Sequence, residues 1–422
     1  MTNPIADLPP RVSLDLSAPS IKEHPIRTWR RLQRSGSLVR ARIPLLGTPA
    51  LATRRATARE VLEDESRFTV DATRVGRRSR TGTAWWLPAP IARLADNLLV
   101  HEGEEHRRRR RQVDHAFRRV ALDRLQPVIE ERVSRCLDVL ARSPAPCFVR
   151  DVARPLPLGV ISDLLGLDAA ASAPGTALGR SLERLSTIGG PLGVFRAMPA
   201  LRHVAGVMAA ELAERRRRPR EDLLSALVHP IGAGAALDEA DGVAMVFMLY
   251  LAGHETTTHL ISLSLLELLR SEAGLATLPA RPEPRHVSEL VRATSPVELT
   301  KPRFVVQDTV LDGHRLPRGS TIAVLIGAAN HDDSVWSDPE RIDPNRSPTR
   351  HLGFGSGTHA CLGMQLALRE TASVFEQLAT LAPRVALHAD PAPIAWARRT
   401  GLRALRTLPL EPLAGSGRRA EA

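Results

Sequence analysis

This chain of 422 residues has little cysteine, few aromatics and almost no lysine. Its three cysteines, Cys136, Cys147 and Cys361, form no close pair, which argues against a disulfide framework and against a zinc site. That usage fits a reducing cytoplasm. Aromatic residues make up 3% of the chain, with one tyrosine, Tyr250, so there is no stacking motif of the kind nucleic acid needs. No apolar run reaches the roughly 18–20 residues that span a bilayer. The longest, GVAMVFMLYLAG from Gly242 to Gly253, has the length of a buried core helix. The start, MTNPIADLPPRVSLDL, has no basic segment followed by an apolar run, so neither signal peptide nor membrane anchor is expected.

What the chain does have is arginine. The net charge is +12, and Lys22 and Lys301 are the only lysines. The Arg, Ala, Leu and Pro bias is that of a GC-rich coding sequence, which discounts the total charge as a functional sign. The runs Arg107–Arg111 and Arg215–Arg218 read first as solvated helix faces; the second also suits a helix C-terminus.

Apolar residues recur at three- and four-residue spacing in RLQPVIEERVSRCLDVLARS, ARPLPLGVISDLLGL and LRHVAGVMAAELAERRRR, which predicts long helices. LVRARIPLLGTPALAT predicts a small hairpin turning at Gly47–Pro49, and RFVVQDTVLDGHRLPRGSTIAVLIGAAN short strands joined by Gly/Pro turns. Helix returns after Cys361. The expectation is a mainly α fold with a small β component: a single domain over 1–422, with an irregular lead-in over about 1–30 and a disordered tail over about 413–422.

Four stretches carry chemistry. HLGFGSGTHACLG, His351–Gly363, presents Cys361 on a glycine-rich loop that leads into a helix. Free N–H groups and the positive helix end favour a thiolate there, able to serve as nucleophile or metal ligand. Cys136 and Cys147 read as small buried hydrophobes. AGHETT, Ala252–Thr257, puts a glycine, an acid and two hydroxyls in an otherwise buried helix, where glycine costs about 1 kcal/mol against alanine. Glu289 and Arg292 are three apart and share a helix face. His106 and Arg110, four apart, share another, and an Arg fork suits a carboxylate.

Together these resemble the cytochrome P450 family, whose motifs follow in order over nearly the whole chain. Phe354-Gly355-Ser356-Gly357-Thr358-His359-Ala360-Cys361-Leu362-Gly363 is similar to that family's haem-binding loop. The resemblance implies haem b with Cys361 as the iron's axial ligand. It implies that Gly355 and Gly357 let backbone amides reach the sulfur, that Phe354 packs over the thiolate, and that His359, His106, Arg110 and Arg303 hold the haem propionates. It further implies that Gly253 opens room for dioxygen, while Thr256 and Glu255 position dioxygen and relay protons; His254 is given no role. Glu289 and Arg292 become a buried ion triad whose third member is Arg341, followed by Ile342 where bacterial members commonly carry Phe.

The activity so implied is a haem-thiolate monooxygenase acting with O2 on an organic small molecule, cytoplasmic and monomeric, in bacterial secondary metabolism. The chain ends soon after its final β region, so electrons are expected from a separate ferredoxin and ferredoxin reductase, with the arginines near Arg110 forming the docking surface. Two other classes stay open here: a haem-binding ligand sensor, and a nucleic-acid binder supported by net charge alone. Desaturation, epoxidation and ring coupling share the same machinery. Arg77, Arg78, Arg80, Trp85 and Trp86 fall in the family's variable distal loop, and Ser186–Leu201 in its lid.

Overall fold

The computed structural model describes residues 9, 11–12, 15–43, 47–80, 89–119, 122–168, 176–186, 190–229, 238–347, 350–381, 386 and 394–412. Trp85, Trp86, residues 187–189 and the tail from 413 lie outside them.

Long helices build the larger part. The central one, Glu239–Arg270, starts at Asp238, whose carboxylate accepts the Asp241 N–H at 2.7 Å. Acids fill its first turn and Arg270 ends it, in line with the helix dipole. Because it is apolar nearly all round, it runs through the core and not along the surface. It packs against Pro155–Leu165 and Gly190–Arg217. Pro284–Thr294 opens with proline in its first turn and a capping box between Glu283 and His286, which fixes where Glu289 and Arg292 fall.

The smaller part is a sheet in the order Arg11–Val12, Leu38–Ala41, Ala50–Ala52, Thr321–Val324, Arg303–Val305, Phe68–Thr69. The expected hairpin is there: Leu38 faces Ala52 and Arg40 faces Ala50 in antiparallel register. Strand alternation covers both faces. Leu38, Ala50, Ala52, Ile322 and Val324 point into one cluster, and Val39, Leu51, Ala323 and Leu325 into another with Trp29. Of the stretch expected as strands, Ile326–Ala329 is a short helix.

The arginine runs are not bare faces. Arg107 and Arg111 pair with Glu104, Arg108 with Glu105, and Arg109, buried, with Glu105 and Asp241 at 2.6 and 2.7 Å. Arg215 is wholly buried, 2.6 Å from Asp222 and 2.9 Å from Glu211, so only the end of that run faces solvent. The acids that neutralise these arginines come mostly from one turn away and partly from other elements.

Candidate functional site

The loop that carries Cys361 folds back on itself. The Cys361 N–H donates to the Phe354 carbonyl at 2.8 Å. Gly357 has φ 72°, and a Cβ there would lie 2.8 Å from the Leu62 carbonyl oxygen, so both the turn and the approach to the Leu62 backbone require glycine. The helix begins only at Met364. Cys361 opens on a cavity of about 360 Å³ that is also lined by Leu98, Met248, Leu249, Thr256, Leu260 and Leu366. Burial pushes its thiol up, while the Gly363 N–H, which bonds the sulfur, and the Arg110 charge act the other way. The Gly363 N–H is thus a backbone amide that acts on the sulfur. Phe354 packs toward Leu260, Val287, Val291, Leu368 and Ala372.

The cavity also has a polar wall. His106 and His359 stack with ring centroids 4.3 Å apart. His106 Nε2, His359 Nε2 and Arg303 Nη1 are all buried without a hydrogen-bond partner. Burial pushes His106 and Arg303 down and takes His359 to about 3, helped by the charges of its neighbours, so His359 is neutral at pH 7. Arg110 gives Nη1 to the Ala360 carbonyl at 2.6 Å and Nε to Asp114 at 3.3 Å. An unmade buried hydrogen bond costs about 1–3 kcal/mol. Three such donors beside one thiol suit a flat, iron-bearing group with two carboxylates, and the haem of the sequence reading fits them.

The central helix forms the opposite wall. Thr256 lines the cavity and bonds back to the Ala252 carbonyl at 2.8 Å. Gly253 lines it too, but a Cβ there would lie 2.8 Å from Ile161 Cδ1. The glycine thus lets the Pro155–Leu165 helix approach, whereas the sequence reading assigned it to dioxygen. Glu255 is not in the cavity wall; its Oε1 is 2.7 Å from Arg399 Nη1. His254 is buried with Nδ1 2.8 Å from the Tyr250 carbonyl.

The buried ion triad corrects one expectation. Glu289 and Arg292 pair at 2.7 Å, both fully buried. The second guanidinium on Glu289 is that of Arg346, at 3.0 Å. Arg341 is exposed and supplies its backbone carbonyl, which accepts from both Arg292 and Arg346. Two arginines five residues apart in one irregular loop cannot be ranked by spacing, since no helical periodicity links them to Glu289. Arg292 also donates to the Asn330 and Pro339 carbonyls, tying the helix to that loop.

Arg77 lies over the Phe304 ring at 4.6 Å, and Arg80 pairs with Asp71, so both are spent on structure. The lid stretch belongs, from residue 190, to the Gly190–Arg217 helix. A second, surface pocket also reaches Cys361 and is lined by Arg55, Arg59, Arg350, Phe354 and Met364. Sequence reasoning missed Arg399, Arg346 and Lys301. The rarity of lysine was a usable signal for Lys301.

The comparisons point to the same family. The family model described as Cytochrome P450 matches residues 284–378, from the Glu289 helix through the Cys361 loop. "Polyketide biosynthesis cytochrome P450 PksS" of Bacillus subtilis is 33% identical over 75% of this chain and 78% of its own. "Cytochrome P450 monooxygenase PikC" of Streptomyces venezuelae is 31% identical over 95% of this chain and 94% of its own. The solved structure of PksS superposes with a TM-score of 0.83 at 29% identity, covering 94% of this chain and 98% of that one.

Proposed function

The chain belongs to the cytochrome P450 family, and on that footing we propose the roles of its residues in a haem-dependent monooxygenase. One observation carries the reading: the Cys361 sulfur and three unpartnered buried donors, on His106, His359 and Arg303, converge on one cavity. When bound there, haem supplies activation of dioxygen, one oxygen atom passing to the substrate and the other to water.

Cys361 would hold the haem iron through its thiolate. The Gly363 N–H takes part of the thiolate's charge and so moderates its donor strength. His106, His359 and Arg303 donate to the two carboxylates, with Arg110 reinforcing that edge. Leu98, Met248, Leu249 and Leu260 keep the opposite side apolar and exclude water. Thr256 presents a hydroxyl to the cavity and can both hold and pass a proton at Oγ1. Glu255 is the donor behind it and must leave Arg399 to deliver a proton, because in its paired position it points away from the cavity.

The substrate is an apolar organic molecule of secondary-metabolite type, as the polyketide-biosynthesis name of the Bacillus subtilis relative suggests. Electrons come from a ferredoxin and its reductase. The docking face is the pocket of Arg55, Arg59 and Arg350 beside Cys361, where unlike the Arg107–Arg111 run the cations outnumber the acids. We place the enzyme in the cytoplasm as a monomer. The test is the reduced, CO-bound spectrum of haem-loaded protein: a thiolate-type band in the parent that is lost in Cys361→Ser. An unchanged band in the variant overturns the ligand assignment.

A further inference from the structure

Lys301 is one of only two lysines in the chain, and the two are used in opposite ways. Lys22 is fully buried and paired with Glu298. Lys301 lines the cavity and keeps exposed surface. No acid stands against it among the described residues. The only carboxyl in the same wall among the described residues, Glu370, is itself buried, and that burial pushes it well up. Enclosure by the chain lowers the ammonium to about 8 with no opposing charge to restore it. An ammonium held this way is costly unless something binds it.

The neighbouring basic groups differ in how they are held. Arg303 and His106 are 3% and 2% exposed, sunk in the wall with fixed donors, as a permanently seated group requires. Lys301, two residues before Arg303 at the entrance to its strand, keeps a long flexible stem in the open volume. Away from the polar wall of His106, His359 and Arg303, and apart from hydroxyls such as that of Thr256, the lining is mainly apolar, with Leu98, Met248, Leu249 and Val297. A flexible charged anchor in a mainly apolar chamber fixes the orientation of a guest.

We infer that Lys301 is an anion anchor in the substrate cavity, and that the substrate is an apolar body bearing one carboxylate or similar anionic group. This rests on the monooxygenase reading above and narrows its substrate class. It also sets which carbon is presented for oxidation, because the anion is tethered on the Lys301 side.

The test titrates decanoate and methyl decanoate into haem-loaded parent, Lys301→Met and Lys301→Arg, reading both the Soret band and calorimetric binding. Decanoate is expected to bind the parent about tenfold more tightly than the ester, the worth of one charge-assisted hydrogen bond. Lys301→Met loses that preference and Lys301→Arg keeps it, with one haem per chain throughout. Equal affinity for acid and ester in the parent overturns the inference, as does no decanoate binding or a preference surviving in Lys301→Met. Haem lost from Lys301→Met with the acid preference intact also overturns it, and assigns the lysine to the cofactor's own carboxylates. A missing thiolate-type CO band in the parent strikes the haem reading instead, and calorimetry still decides on Lys301.

Discussion

Arg399 Nη1 stands 2.7 Å from Glu255 Oε1, joining the C-terminal β region to the middle of the central helix. Both side chains are about a fifth to a quarter exposed, so the pair can open at modest cost. In the proposed Glu255–Thr256 step it would hold the acid away from the cavity until it is needed. Arg399→Gln is expected to reduce product formed per electron pair consumed by severalfold while leaving substrate affinity within about twofold. Glu255→Gln should act in the same direction, and the double variant should be no worse than the poorer single one. Additive losses, measured as product against reductant consumed, would separate Arg399 from the proton step.

The triad around Glu289 separates two arginines that look equivalent in sequence. Arg346→Ala removes a charged hydrogen bond to a buried carboxylate and should cost about 1.5–3 kcal/mol in denaturant unfolding. Arg341→Ala removes an exposed side chain whose backbone does the bonding, and should stay within about 0.5 kcal/mol. Equal losses would return Arg341 to the triad.

Gly253→Ala should destabilise the protein by about 1–3 kcal/mol, because the added methyl meets Ile161 in a packed helix contact. Ile161→Val in the same chain should recover part of the loss. A Gly253→Ala variant as stable as the parent but with weakened dioxygen use would instead support the role in the cavity.

Acid should unfold the protein through its buried histidines. Burial takes His259, His331 and His359 to about 3 and His351 to about 4. In the unfolded chain each titrates near its ordinary value of about 6.5. The unfolded state therefore binds more protons below that pH, and stability falls as pH drops from about 6.5 toward 4. The fall is roughly 1.4 kcal/mol per histidine for each pH unit in that range. Urea unfolding at pH 7 and pH 5.5 checks it, and His331→Gln should flatten the difference. An identical pH dependence in the variant would show that His331 takes up its proton in the folded state.

Most of the covalent chemistry was legible in the chain order. Cys361 among glycines, the acid and hydroxyls in the Ala252–Thr257 helix, and the Glu289–Arg292 spacing are local patterns, and a helix or turn fixes local neighbours whatever the rest of the protein does. Less legible were partners brought from afar. Arg399 meets Glu255 across more than a hundred residues, and Arg346 outranks Arg341 only because the loop after Pro339 bends as it does. Charge runs misled for the same reason: a run predicts an exposed face, but Arg109 and Arg215 turn inward to acids on other elements.

By itself the sequence determined the mainly helical class with its small sheet, the reactive thiol, and the family to which they point, because periodicity and motif spacing act over a few residues. Tertiary structure alone decided that His106, His359 and Arg303 leave their donors unpaired toward one cavity, that Glu255 rests on Arg399, and that Lys301 joins the same wall with no acid against it among the described residues. Each of these is a question of which groups lose water together, and that is settled only when distant segments pack.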